Sequence, residues 1–216
     1  MIEHYISNKT ITFLPLLALV SLFFFSSCSD SGNGPEELQS EIQAETVMDL
    51  HAPSLRDNPD ARFVLFSFRS GQTVDIADSA STSWDVGFRG TEIILNSGIS
   101  GPGEAGLVRL DVAFDQVTIA PSEGYEADGE TLAMADWYTY TGMNEPMRAV
   151  FPNENETYVL RTADGNHYVK FDIISYYKGN PDTSTEAFAN LQTRPASPFY
   201  TFDYVIQLEE GLRDLQ

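Results

Sequence analysis

Residues 158–177 read Tyr-Val-Leu-Arg-Thr-Ala-Asp-Gly-Asn-His-Tyr-Val-Lys-Phe-Asp-Ile-Ile-Ser-Tyr-Tyr, and this stretch decides the fold. Its first five residues are mostly β-branched, aromatic or leucine, the composition of a strand. Asp164-Gly165 follows, a pair that tolerates the positive φ values of a tight hairpin turn. Residues 168–177 then resume the strand pattern. Val169, Phe171 and Ile173 line one side of it, Tyr168, Ile174 and Tyr176 the other, as expected for a strand covered on both faces. The stretch is a β-hairpin inside a layered structure.

The same pattern repeats outward from it. Residues 63–68 (Phe-Val-Leu-Phe-Ser-Phe) and 73–76 form a pair around the turn Ser70-Gly71-Gln72. Residues 84–89, 91–96 and 107–112 are further strands, and 199–207 places Tyr200, Phe202, Tyr204 and Ile206 on one face. Trp84, flanked by Val86 and Phe88, is expected in the core. The fold class is therefore all-β: antiparallel sheets forming a sandwich-like or folded-over sheet domain. Residues 96–106 hold four glycines between two strands. They lack the following helix and the Lys-Ser/Thr pair of a phosphate loop, so they read as a structural turn. Residues 121–156 carry few strand signals. They contain Trp137, Tyr138, Tyr140 and three methionines, a composition that belongs to an ordered segment.

At the N-terminus, residues 11–25 form an apolar run broken only by Thr12 and Ser21. At 1.5 Å per residue it is too short to span about 30 Å of hydrocarbon, and it ends at small residues, the profile of a cleaved export signal. Phe25-Ser26-Ser27-Cys28 resembles a bacterial lipoprotein signal, which implies acylation of Cys28, anchoring of the protein in a membrane and a mature chain that begins there. The expected organisation is a signal peptide at 1–27, a lipidated N-terminus and flexible tether at 28–60, and a β domain at 61–216. Within the tether, residues 46–50 read equally as an edge strand or a short helix, and a weak helical stripe runs from 36 to 47.

Cys28 is the single cysteine, so disulfide stabilisation, thiolate zinc and a cysteine nucleophile are all excluded once it is acylated. Lys and Arg number 12 against 32 Asp and Glu, a net charge of −20 that repels nucleic acid phosphates. No Ser-His-Asp arrangement, HExxH or CxxC is present, and the chain reads as a binding protein rather than an enzyme. After the signal only His51 and His167 remain. His167 directly follows the hairpin turn, where an exposed histidine needs no further reason. Met134, Met143 and Met147 fall close together beside the aromatics. From composition alone they read as fillers of irregular core gaps.

Several motifs, taken in order, resemble those of HmuY-like proteins, haem-binding lipoproteins of Bacteroidota. They are Phe66-Ser67-Phe68, Trp84-Asp85-Val86-Gly87-Phe88-Arg89-Gly90-Thr91, Asn96-Ser97-Gly98-Ile99-Ser100-Gly101, Trp137-Tyr138-Thr139-Tyr140, Tyr158-Val159-Leu160-Arg161-Thr162-Ala163-Asp164-Gly165 and Ile174-Ser175-Tyr176-Tyr177. The resemblance implies an all-β domain at the outer membrane that captures haem for iron acquisition and passes it to a TonB-dependent receptor. It also implies two axial iron ligands from loops, a His pair in some members and a Met pair in others. Here the neighbourhood Met147-Arg148-Ala149-Val150-Phe151-Pro152 holds no histidine, which speaks against a His pair. The ligand candidates are then Met134, Met143 and Met147, with Trp137, Tyr138 and Tyr140 against the macrocycle and Arg148 on a propionate. The alternative is a surface binding or adhesion module on the same scaffold that takes no haem.

Overall fold

The computed structural model describes residues 41–216. The expected signal peptide, Cys28 and the first part of the expected tether, to residue 40, lie outside the described residues. The regular structure of the described residues is mainly antiparallel strands: β1 (Ile42–His51), β2 (Val64–Ser67), β3 (Gln72–Val74), β4 (Val86–Arg89), β5 (Glu92–Leu95), β6 (Gly106–Leu110), β7 (Tyr138–Tyr140), β8 (Val150–Pro152), β9 (Thr157–Arg161), β10 (Tyr168–Ser175) and β11 (Phe199–Gln207). One α-helical turn, α1 (Glu186–Ala189), and two 3-10 turns (Ile76–Asp78 and Phe114–Gln116) interrupt them. They form a five-stranded sheet in the order β1-β11-β10-β9-β6, a four-stranded sheet in the order β3-β2-β4-β5, and the small pair β7-β8.

Aromatic side chains join the two larger sheets. Phe66 and Phe68 of one sheet meet Phe202 and Phe171 of the other at ring centroid distances of 5.4 and 5.2 Å, and Phe88 stacks on Phe202 at 5.6 Å. These rings are the centre of a sandwich core, and all of them are buried. The outer faces are also covered. Val117, Ala120, Val159 and Leu215 form a second cluster, and Leu65, Trp84 and Ile94 a third. That double coverage is why residues of both parities in these strands are apolar. Trp84 is buried as its flanking residues predict, with its indole N–H donating to Ser79 O.

The hairpin of 158–177 forms, with Tyr168 opposite Arg161 and Phe171 opposite Tyr158. The face assignment holds for Val169, Phe171 and Ile173, whereas Ile174 is exposed because a bulge between Ile173 and Ser175 turns it outward. The glycine loop is structural. A Cβ on Gly98, whose φ is +55°, would meet Asp128 O at 1.8 Å. Backbone packed that closely leaves room for no side chain.

Two expectations need correction. The tether was drawn to residue 60, but β1 is a sheet strand from Ile42 on, pairing with β11 from Ile42 opposite Gln207 to His51 opposite Phe199. The residues of the weak helical stripe that fall within β1 are likewise extended. None of the β1 side chains is fully buried, though Val47 and Leu50 pack partly against the core, so ladder hydrogen bonds contribute much of its placement, and hydropathy carries no trace of those. His167, expected to be exposed, is buried, and its Nδ1 lies 2.7 Å from Arg69 Nη2. The same nitrogen lies 3.4 Å from Asp164 Oδ1, so the ring is engaged by both neighbours.

β10 and β11 set Asp172 directly opposite Asp203. Burial first, and repulsion from Asp203 second, push the Asp172 carboxyl up to about 6. A carboxyl whose folded pKa exceeds its unfolded one favours the fold fully below the unfolded value. That contribution is lost as pH rises through 6. Asp172→Asn is therefore expected to gain about 1 kcal/mol at pH 7, discounted for partial exposure, and nothing below pH 4. Urea midpoints at the two pH values measure it, and a loss at pH 7 would refute it.

Candidate functional site

The site grows from β7 and β8, paired with Tyr138 opposite Pro152 and Tyr140 opposite Val150. The loop between them is closed by its own hydrogen bonds. Thr141 Oγ1 donates to Pro146 O at 2.7 Å and accepts from Ala149 N at 2.8 Å, and Arg148 N donates to Gly142 O at 2.7 Å. Arg194 Nη1 donates to Met147 O at 2.8 Å, tying the loop to the segment after α1. The loop is thus held at both ends.

Beside this hairpin opens a cleft of about 310 Å³, within the range of small-molecule sites. Arg56, Thr91, Tyr138, Tyr140, Arg148 and Tyr176 line it. Trp137 sits behind Tyr138 and Tyr176, with ring centroids 4.8 and 5.9 Å away, and its indole N–H donates to Thr91 O at 2.9 Å. Tyr200 completes the backing, 5.3 Å from Trp137, and its hydroxyl donates to Gly90 O. Burial pushes the Tyr176 and Tyr200 hydroxyls well above the usual phenol range, so both stay neutral donors. The cleft thus has an aromatic wall, two guanidinium groups and, paired with Arg56, the Asp57 carboxylate.

Among the expected site residues, Tyr138, Tyr140 and Arg148 converge on this cleft. Met143, 74 % exposed, and the half-buried Met147 stand on the loop that joins Tyr140 to Arg148. Met134 does not join them. It has no exposed surface and belongs to the main core cluster, so its sulfur is a packing atom there. Trp137 is likewise fully buried and supports the cleft from behind instead of presenting a face to a ligand. Arg56 escaped the sequence reading because it lies in the stretch taken for tether. Tyr176 was read only as a strand-face residue and as part of the motif Ile174-Ser175-Tyr176-Tyr177, with no place at a site.

A larger groove, about 670 Å³, runs between β8 and the end of β10, lined by Phe151, Glu154, Asp172, Ile174 and Tyr177 among others. Its charged side chains are carboxylates, so it disfavours an anionic ligand that the first cleft would accept.

The fold is an antiparallel two-sheet sandwich with an aromatic, arginine-lined cleft beside a short hairpin. The family model described as HmuY protein matches residues 60–153, a span that includes β7, β8 and the loop between them. A crystal structure of an apo HmuY analogue from Tannerella forsythia is similar at 13% sequence identity and a TM-score of 0.43, covering 79% of this chain and 98% of that one. No curated protein matches the sequence. Over residues 60–153 the chain is thus similar to the HmuY family.

Proposed function

We propose that this chain is a haem-binding lipoprotein, anchored at the outer membrane through Cys28, that captures haem for iron acquisition and hands it to a TonB-dependent receptor. The observation that carries the reading is the convergence of Tyr138, Tyr140 and Arg148 on one cleft inside the segment matched by the HmuY model. Aromatic faces suit a macrocycle, and a guanidinium suits a propionate.

The residues at the cleft fit the periphery of a haem. For the iron, the exposed thioether of Met143 is the ligand available on the adjoining loop, with Met147 second, while Met134 is withdrawn into the core. When bound, haem supplies iron that a soft thioether holds more firmly in the ferrous state. The chain's part is to present the sulfur, cover the ring with tyrosines and neutralise a carboxylate. Burial of Met134 favours the second reading, a binding module on the same scaffold that takes no haem, because one loop alone is left to supply thioethers.

A haemin titration separates the two. The expected result is an intense Soret band, tighter binding after reduction, and about tenfold weaker ferrous binding in Met143→Ala. Absence of any Soret change would leave the non-haem module standing. The anchor is checked in the same preparation: Cys28→Ser should move the protein from the membrane fraction to the soluble one, and retention in the membrane would refute it.

A further inference from the structure

Resting on the haem reading, we infer that Arg56 and Arg148 form a two-cation clamp that selects a planar ligand carrying two carboxylates on one edge. The chain has 12 basic side chains against 32 acidic ones, yet two of its arginines line the same cleft. In so acidic a protein, an arginine is expected to find a carboxylate. The Arg148 side chain has no hydrogen-bond or ion-pair partner among the described residues, and nothing local explains its position. Its backbone φ is 56°, the left-handed region that glycine occupies at no steric cost and arginine does not. The chain tolerates that strain where it leaves an uncompensated guanidinium at the cleft, a combination typical of ligand sites.

Arg56 is the second cation, and it lies before the span matched by the family model. Its Nε donates to Asp57 Oδ1 at 3.0 Å and its Nη2 to Oδ2 at 3.4 Å, while Ser54 Oγ donates to the same carboxylate at 2.8 Å. Asp57 thus holds one side of the guanidinium in place and leaves Nη1 without a bond. Tyr138, Tyr140 and Tyr176 line the same cleft as the two arginines and offer a planar ligand its faces. One guanidinium per carboxylate is the geometry that charge-assisted, forked hydrogen bonding favours. A monoanionic or esterified ring fills the same wall but leaves a cation unmatched.

The test uses two probes, haemin and its dimethyl ester, which differ only in the two carboxylates. The parent is expected to bind haemin about 25-fold more tightly than the ester, the product of two contacts of about fivefold each. Arg56→Gln and Arg148→Gly should each weaken haemin binding about fivefold, the worth of one partly exposed charged contact, and leave the ester unaffected. Arg148→Gly should also leave the denaturation midpoint at or above the parent's, since glycine takes this backbone without strain. That pairing of unimpaired stability with lost affinity is something a merely structural arginine would not produce. Haemin binding unchanged in both variants, or equal losses for the two probes, would overturn the clamp while leaving the haem reading intact. If the parent shows no Soret change with either probe, the haem reading falls and the clamp falls with it.

Discussion

Asp85→Ala is expected to destabilise the protein by roughly 2–6 kcal/mol, because it orphans two buried donors that each cost about 1–3 kcal/mol unpaired. Asp85 is buried, and its two carboxylate oxygens accept from Phe68 N and Ala163 N, both at 2.9 Å. Phe68 follows β2 of the four-stranded sheet, and Ala163 begins the hairpin turn between β9 and β10 of the five-stranded one. One side chain therefore staples the two layers. Asp85→Asn keeps one acceptor and should lose about half as much. The carboxyl is pushed up to about 6, by burial above all. Its ionisation thus weakens the fold as pH rises through 6, and the Asp85→Asn penalty should be smaller at pH 7 than at pH 4. Guanidinium midpoints measure these differences. An Asp85→Ala midpoint equal to the parent's would show that water or a shifted backbone satisfies both donors.

Trp137→Ala is the second large effect, about 3–5 kcal/mol by the penalty for emptying a large aromatic site. The indole is fully buried against Tyr138, Tyr176 and Tyr200. Its N–H satisfies Thr91 O, so truncation also strips that carbonyl of a partner. Two of the rings it supports line the cleft, so ligand affinity should fall together with stability. Trp137→Phe, which refills most of the volume, should recover both in large part. A Trp137→Ala protein with parental stability but no ligand binding would mean that the indole touches the ligand directly, contrary to its burial here.

These two residues mark different degrees of legibility. Residues 158–177 could be read as a hairpin because alternation and an Asp-Gly turn are local properties, encoded within a few residues of each other. The same holds for β11, where Tyr200, Phe202, Tyr204 and Ile206 share a face and are all buried. The role of Asp85 could not be read that way, since its partners lie 17 and 78 residues away along the chain. A cross-layer staple is a long-range fact.

The methionines show the same boundary at the site. Met134 and Met143 are alike in composition and near in sequence. One ends with no exposed surface and the other with 74 %. Nothing within a window of the chain distinguishes them, because burial depends on which distant strands stack above each position. Arg56 was hidden for a related reason. It follows β1, an edge strand held by backbone pairing with the far end of the chain, and a polar segment so placed reads as linker. The sequence by itself determined the strand class, the turn chemistry, the HmuY-like motifs and the acidic surface, all of which rest on composition or short spacing. Only the tertiary structure decided which aromatics became wall and which became core, and which two arginines share a cleft, because those choices are made by contacts between residues that the chain keeps far apart.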